Sequence, residues 1–108
     1  MSRFAETLAR LAATIEARKG ADPKSSYTAK LLAGGAPLAA KKFGEEAIET
    51  ALAAVLADPD AVAAESADLI YHWLVLLTAS GVSLDAVAAR LEAREGRSGI
   101  EEKASRGA

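Results

Sequence analysis

The sequence predicts an all-α fold, a small bundle of four to five helices whose two longest members lie antiparallel at its centre. Three observations predict it. Alanine, the strongest helix former, fills 27 of the 108 positions. No segment alternates apolar and polar residues in the manner of a half-buried strand. Apolar residues recur instead at helical spacing, between residues that cap or break helices.

Ser2 caps a first helix in which Phe4, Leu8, Leu11 and Ile15 share one side. Arg18 and Lys19 suit its C-terminal dipole, and Gly20 ends it. Asp22-Pro23 and Ser25-Ser26 read as a loop leading to a short helix over Tyr27 to Ala33, which Gly34-Gly35 breaks. Pro37 opens a longer helix to about Ala57, where Asp58-Pro59 stops it and caps the next. The fourth helix runs from about Pro59 to Ser80 and ends at Gly81. The short connection between these two long helices makes them antiparallel neighbours. Ser83 caps a fifth helix carrying Leu84, Val87 and Leu91. Residues from about 94 to 108 form a basic tail, expected to be mobile, in which Ser98-x-x-Glu101 offers a capping box. Residues 1–108 read as one domain.

Composition narrows the function. Thirteen basic residues against fifteen acidic ones leave a net charge of -2, unlike the strongly basic surface of a dedicated nucleic-acid binder. There is no cysteine and one histidine, so thiolate zinc, iron–sulfur and multi-imidazole sites are excluded. A metal site would rest on oxygen ligands, which suits Mg²⁺, Mn²⁺ or Ca²⁺. The N-terminus lacks the pattern of a signal peptide, and the longest apolar stretch, Leu69 to Ala79, is broken by His72 and too short for a bilayer. A cytoplasmic protein engaging neither membrane nor nucleic acid is expected.

The acids occupy informative positions. At about 100° per residue, Glu45 and Glu49 share a stripe with Leu38, Leu52 and Leu56, with Glu46 beside it. On the next helix Glu65, Asp68 and His72 share a stripe with Val62, Leu69 and Leu76. Like charges gathered on apolar seams require neutralisation. Either Lys41, Lys42 or other basic residues pair with them, or the acids converge across the helix pair and hold hard divalent cations. His72, one turn after Asp68, either orients such a site or is a core residue; Tyr71 and Trp73 read as packing residues.

These two acidic motifs, E-E-x-x-E and E-x-x-D, resemble the metal site of the all-α nucleoside triphosphate pyrophosphatases, the MazG-like superfamily. Ser26-Tyr27-Thr28-Ala29-Lys30-Leu31-Leu32 and Lys42-Phe43-Gly44-Glu45-Glu46-Ala47-x-Glu49 narrow the resemblance to the phosphoribosyl-ATP pyrophosphatases of histidine biosynthesis. Glu65-x-x-Asp68-Leu69-x-Tyr71-His72 and Arg94-x-Gly96-x-Ser98-Gly99-Ile100-x-x-Lys103 fit the same family. The resemblance runs from about Phe4 to Arg106. It implies hydrolysis of 1-(5-phospho-β-D-ribosyl)-ATP to the AMP derivative and pyrophosphate, dependence on Mg²⁺ (Mn²⁺ being the alternative), and a homodimer. The related cyclohydrolase, to which this domain is fused in many organisms, has no room in this chain.

The residues suit that chemistry. A divalent cation must screen a triphosphate before water can approach phosphorus. Glu45, Glu46, Glu49 and Asp68 are candidate ligands, with Glu65 a ligand or a water-orienting base; Glu45, Glu46 and Glu65 are the catalytic candidates. Lys30, Lys42, Arg94, Arg97, Lys103 and Arg106 are candidates for the triphosphate and for the 5-phosphate of the phosphoribosyl arm, against the reading of each as an ordinary surface charge. The tail residues Arg94, Arg97, Lys103 and Arg106 are expected to meet that second, distant phosphate, the alternative being a solvated terminus. A house-cleaning pyrophosphatase for other triphosphates and a non-catalytic helical module are the rival readings. The fourth helix carries Leu69 and Leu76 on one face and Ile70, Leu74 and Leu77 on another, so a dimer interface including it is expected.

Overall fold

The computed structural model describes residues 2–96 together with residue 99. Among them are five helices and no strand: α1 (Arg3–Ala17), α2 (Tyr27–Ala33), α3 (Gly35–Val55), α4 (Pro59–Ser80) and α5 (Leu84–Glu92). The all-α class and the element order are those expected. The capping box at Ser98 and Glu101 lies outside the described residues.

Four helices begin on a short polar side chain. Ser2, Ser26, Asp58 and Ser83 accept the backbone N–H of Ala5, Ala29, Ala61 and Ala86 at 3.0, 3.1, 3.1 and 3.0 Å. Each bond satisfies one of the amides that a helix leaves without an internal partner. α3 starts differently. Gly34 closes α2, and Gly35, at φ +71°, turns the chain into the next helix. A Cβ on Gly34 would collide with the Leu38 side chain, so both glycines are needed for this reversal. Pro37 sits in the first turn of α3, where its missing N–H removes no helical bond.

The α3–α4 pair is the backbone of the molecule, with α1 and α2 also packed on α4. Ile15, Leu31, Ala39, Leu74 and Val75 form the core, one or two from each of the first four helices. Leu8, Leu11, Ile70, Trp73 and Leu76 pack around them. Trp73 is therefore a packing residue. α5 leaves α4 at 106° and adds Leu84 to the rim of this cluster. No single described helix is long and apolar enough to cross a membrane.

The apolar surplus lies elsewhere than expected. α4 receives cover from three helices, and its large apolar side chains are all buried or half-buried. Among the exposed ones, Phe4, Tyr27, Val82 and Leu91 are scattered, whereas Ile48, Leu52, Val55 and Leu56 follow one another at helical spacing along α3 and its C-cap.

α3 and α4 end in the same way. At the end of α4, Gly81 is left-handed (φ 71°), with Gly81 N–H donating to Thr78 O and Val82 N–H to Leu77 O. At the end of α3, Ala57 N–H donates to Ala54 O and Asp58 N–H to Ala53 O, but the left-handed residue is Ala57, at φ 56°. An L side chain there costs about 1–2 kcal/mol, partly offset by its smaller loss of unfolded-state entropy. Ala57→Gly is therefore expected to stabilise the protein by about 0.5–1 kcal/mol. Gly81→Ala, in open space, should destabilise it by a similar amount. Paired thermal melts measure both; an unstable Ala57→Gly would mean that Ala57 bears no strain.

Candidate active site

Ala39, Glu46 and Ala53 follow one another at intervals of seven residues on α3, and the two alanines are buried. Small side chains on this line let α4 approach closely, and they place Glu46 inside the seam between the helices. Glu65 meets it from α4. One oxygen of each carboxylate, Glu46 Oε2 and Glu65 Oε2, is sealed from solvent without a hydrogen-bond partner. Glu49, one turn on from Glu46, stands exposed at the rim. Carboxylate oxygens from Glu46, Glu49 and Glu65 all lie within 4.8 Å of one another, close enough to share one metal ion.

Among the described residues no base neutralises this cluster. The ion pairs among the described residues are Lys19–Glu16 and Lys42–Glu45, and neither involves these three acids. Burial first, then the close carboxylate of Glu49, then the charges of Asp68 and Glu65, push Glu46 up to about 7. Glu65 is raised as well, first by burial and then by Glu49 and Asp68, while the neighbouring Glu46 carboxyl opposes the rise. Without a cation the cluster holds a proton to relieve its own repulsion. Sealed, unpartnered oxygens and an all-oxygen donor set fit a hard divalent cation.

The structure thus brings together three of the five acids singled out in the sequence. Asp68 is exposed and lies outside the group of three, acting on Glu46 and Glu65 through its charge. Glu45 is exposed and turns to Lys42, 3.9 Å away. Lys30 is exposed on α2 and borders a hollow that also includes Lys24. Arg94 is exposed just beyond α5; Arg97, Lys103 and Arg106 lie outside the described residues.

His72 is buried, yet its Nδ1 has no partner, so it is not a satisfied core histidine. Burial lowers its pKa, with Lys42 adding to the fall and Asp68 and Glu45 opposing it, so the imidazole is neutral at pH 7. Its ring meets the rings of Tyr71 and Tyr27 edge-on, with centroids 4.9 and 6.5 Å away. Tyr71 Oη and Thr28 Oγ1 are hydrogen-bonded at 2.6 Å. Sequence reasoning left Thr28 and Lys24 without a role and gave Tyr71 only packing. The adjacent polar pairs Tyr27-Thr28 and Tyr71-His72 were the available signal.

Residues 8–95 match the family of phosphoribosyl-ATP pyrophosphohydrolases. The chain belongs to this family. It is 72% identical over 104 residues to the phosphoribosyl-ATP pyrophosphatase of Caulobacter vibrioides (strain NA1000 / CB15N), covering 96% of each chain. To that of Parvibaculum lavamentivorans it is 60% identical over 107 residues, 99% of this chain and 98% of the relative. To that of Cereibacter sphaeroides (strain ATCC 17029 / ATH 2.4.9) it is 62% identical over 100 residues, 93% and 97% respectively. The family match spans all three clustered acids, Asp68 and His72, and ends before Arg97.

In this pyrophosphohydrolase the raised carboxyl of Glu46 links stability to pH. Between about 4.5 and 7 the folded chain holds a proton that the unfolded chain has released. The metal-free protein should therefore lose stability as pH rises through about 7, the direction that Glu65 reinforces. Glu46→Gln should flatten that slope. Melting in chelator from pH 5 to 8 checks it; an unchanged slope in the variant would place the proton elsewhere.

Proposed function

We propose that the chain hydrolyses 1-(5-phospho-β-D-ribosyl)-ATP to 1-(5-phospho-β-D-ribosyl)-AMP and pyrophosphate, the second step of histidine biosynthesis, at the carboxylates between α3 and α4. The observation that carries the location is the uncompensated trio Glu46, Glu49 and Glu65, with two oxygens sealed and unpartnered. The family and its relatives' names support the substrate.

Glu46, Glu49 and Glu65 would hold Mg²⁺, or Mn²⁺, with Asp68 reaching in from the next turn of α4. Bound there, the cation would screen the phosphate oxygens and draw charge from the anhydride as it breaks. The chain supplies the rest. Glu65 accepts the proton of the attacking water as the oxygen bonds to phosphorus and the α–β anhydride bond opens. Pyrophosphate leaves. Glu45 stays with Lys42 outside the cluster, which keeps that ammonium close enough to meet the departing phosphates. Arg94, together with Arg97, Lys103 and Arg106, adds positive charge for the triphosphate. The assembly that fits is a homodimer joined through the α3 face of Ile48, Leu52, Val55 and Leu56, since four exposed apolar side chains on one helix face favour burial.

Incubation with phosphoribosyl-ATP and Mg²⁺ should release pyrophosphate, far faster than with ATP alone. Glu49→Gln removes a charge at the exposed rim without opening a cavity. It should lower turnover by at least about 100-fold and abolish the rise in Tm that Mg²⁺ produces. Near-normal turnover would remove Glu49 from the site. For the assembly, Leu52→Glu with Leu56→Glu should halve the mass seen by light scattering; a monomeric wild type would rule out the dimer.

A further inference from the structure

The substrate proposed above carries two anionic ends, and the carboxylate cluster accounts for only one. A triphosphate can approach acids through a shared cation. A phosphomonoester at the far end of the molecule needs positive charge of its own.

The loop before α2 supplies it. Lys24 and Lys30 border one hollow of about 620 Å³, together with Ser25, Ser26 and Tyr27. Among the described residues no acidic side chain lines it, and neither ammonium is paired with a carboxylate. Asp22, the nearest acid in sequence, accepts the backbone N–H of Lys24 at 2.9 Å. Two ammonium groups match the charge of a phosphomonoester, about -1.5 to -2 at neutral pH.

The wall of this hollow is fixed from behind. Tyr27 is 55% exposed, yet its ring rests on His72, which is 7% exposed. Thr28, the next residue on α2, is bonded to Tyr71, the residue before His72 on α4. Two consecutive residues of a seven-residue helix are thus clamped to two consecutive residues of the long one. The unpaired Nδ1 of His72 is a cost that packing alone would not select. Its return is a tyrosine ring held in place at the surface, presenting a flat apolar face to a sugar or a base.

The separation also fits. Glu65 and His72 are seven residues apart on α4, about 10 Å along the helix axis. Tyr27 stands beside His72, with ring centroids 6.5 Å apart, so the hollow lies no further from the acids than about 15–20 Å. In phosphoribosyl-ATP two riboses and a purine separate the phosphomonoester from the triphosphate, a span within that reach.

We propose that the hollow between Lys24, Tyr27 and Lys30 is the subsite for the 5-phosphate of the phosphoribosyl arm, while the triphosphate lies over Glu46, Glu49 and Glu65. This rests on the functional reading above and adds where the second phosphate goes. It makes the loop before α2 the element that separates phosphoribosyl-ATP from ordinary nucleoside triphosphates.

The test uses Lys24→Ser with Lys30→Ser, both exposed positions, and two substrates: phosphoribosyl-ATP and the same molecule lacking its 5-phosphate. The variant should raise KM for phosphoribosyl-ATP about tenfold or more, with a much smaller change in kcat, and should erase most of the preference between the two substrates. Equal losses on both substrates, or an unchanged KM, would overturn the subsite. A second measurement needs no turnover. Ribose 5-phosphate, added to the metal-free protein, should shift the amide resonances of Lys24, Tyr27 and Lys30 in wild type and not in the variant. Shifts without pyrophosphate release from wild type would leave the subsite standing and sink the catalytic reading. Normal turnover without shifts would do the reverse.

Discussion

Repulsion among three carboxylates organises this small molecule. Glu46, Glu49 and Glu65 are brought within 4.8 Å of one another by the packing of α3 on α4, the most extensive helix pairing among the described residues. The fold therefore pushes together groups that oppose being together. Burial and that opposition together push Glu46 up to about 7, where a proton relieves the repulsion in part; a divalent cation would relieve it more completely. Stability is linked to this one seam, and among the described residues Lys42 is engaged with Glu45 and not with these acids.

Much of the fold was legible because it is written in local chemistry. Ser2, Ser26, Asp58 and Ser83 cap the helices they were expected to cap, and Gly34-Gly35 and Gly81 interrupt the chain as read. The end of α3 was less legible. A left-handed Ala57 has no sequence signature, because alanine ordinarily continues a helix. The face of α3 was misleading for a related reason. Leu52 and Leu56 suggested the buried stripe, whereas the buried line runs through Ala39 and Ala53, and the leucines face outward. Side-chain size alone does not distinguish a seam that needs close approach from a surface that awaits a partner.

The candidate site divides the same way. Motif spacing identified Glu46, Glu49 and Glu65, because residues three or seven apart on facing helices share a seam. It also named Glu45 and Asp68, which lie outside this group of three, Glu45 beside Lys42 and Asp68 exposed on the next turn of α4. A pattern of acids does not say which will stand at the centre and which at the edge. His72 was identified as a choice between two roles. Only three-dimensional packing reveals its sealed nitrogen and the two tyrosines around it.

The placement of the acids in mid-helix, away from loops, has a consequence for how the chain can change over generations. One residue inserted into α3 between Ala39 and Glu46 would rotate everything beyond it by about 100° and advance it by about 1.5 Å. Glu46 would leave the seam, Ala53 would no longer face α4, and the carboxylates would scatter to different sides of the bundle. A site carried on loops tolerates changes of length and drifts with them. Here point substitutions are open to the lineage, but insertions and deletions within these two helices are closed. Variation in length is left to the connections outside these two helices, apart from the segment between Lys24 and Lys30.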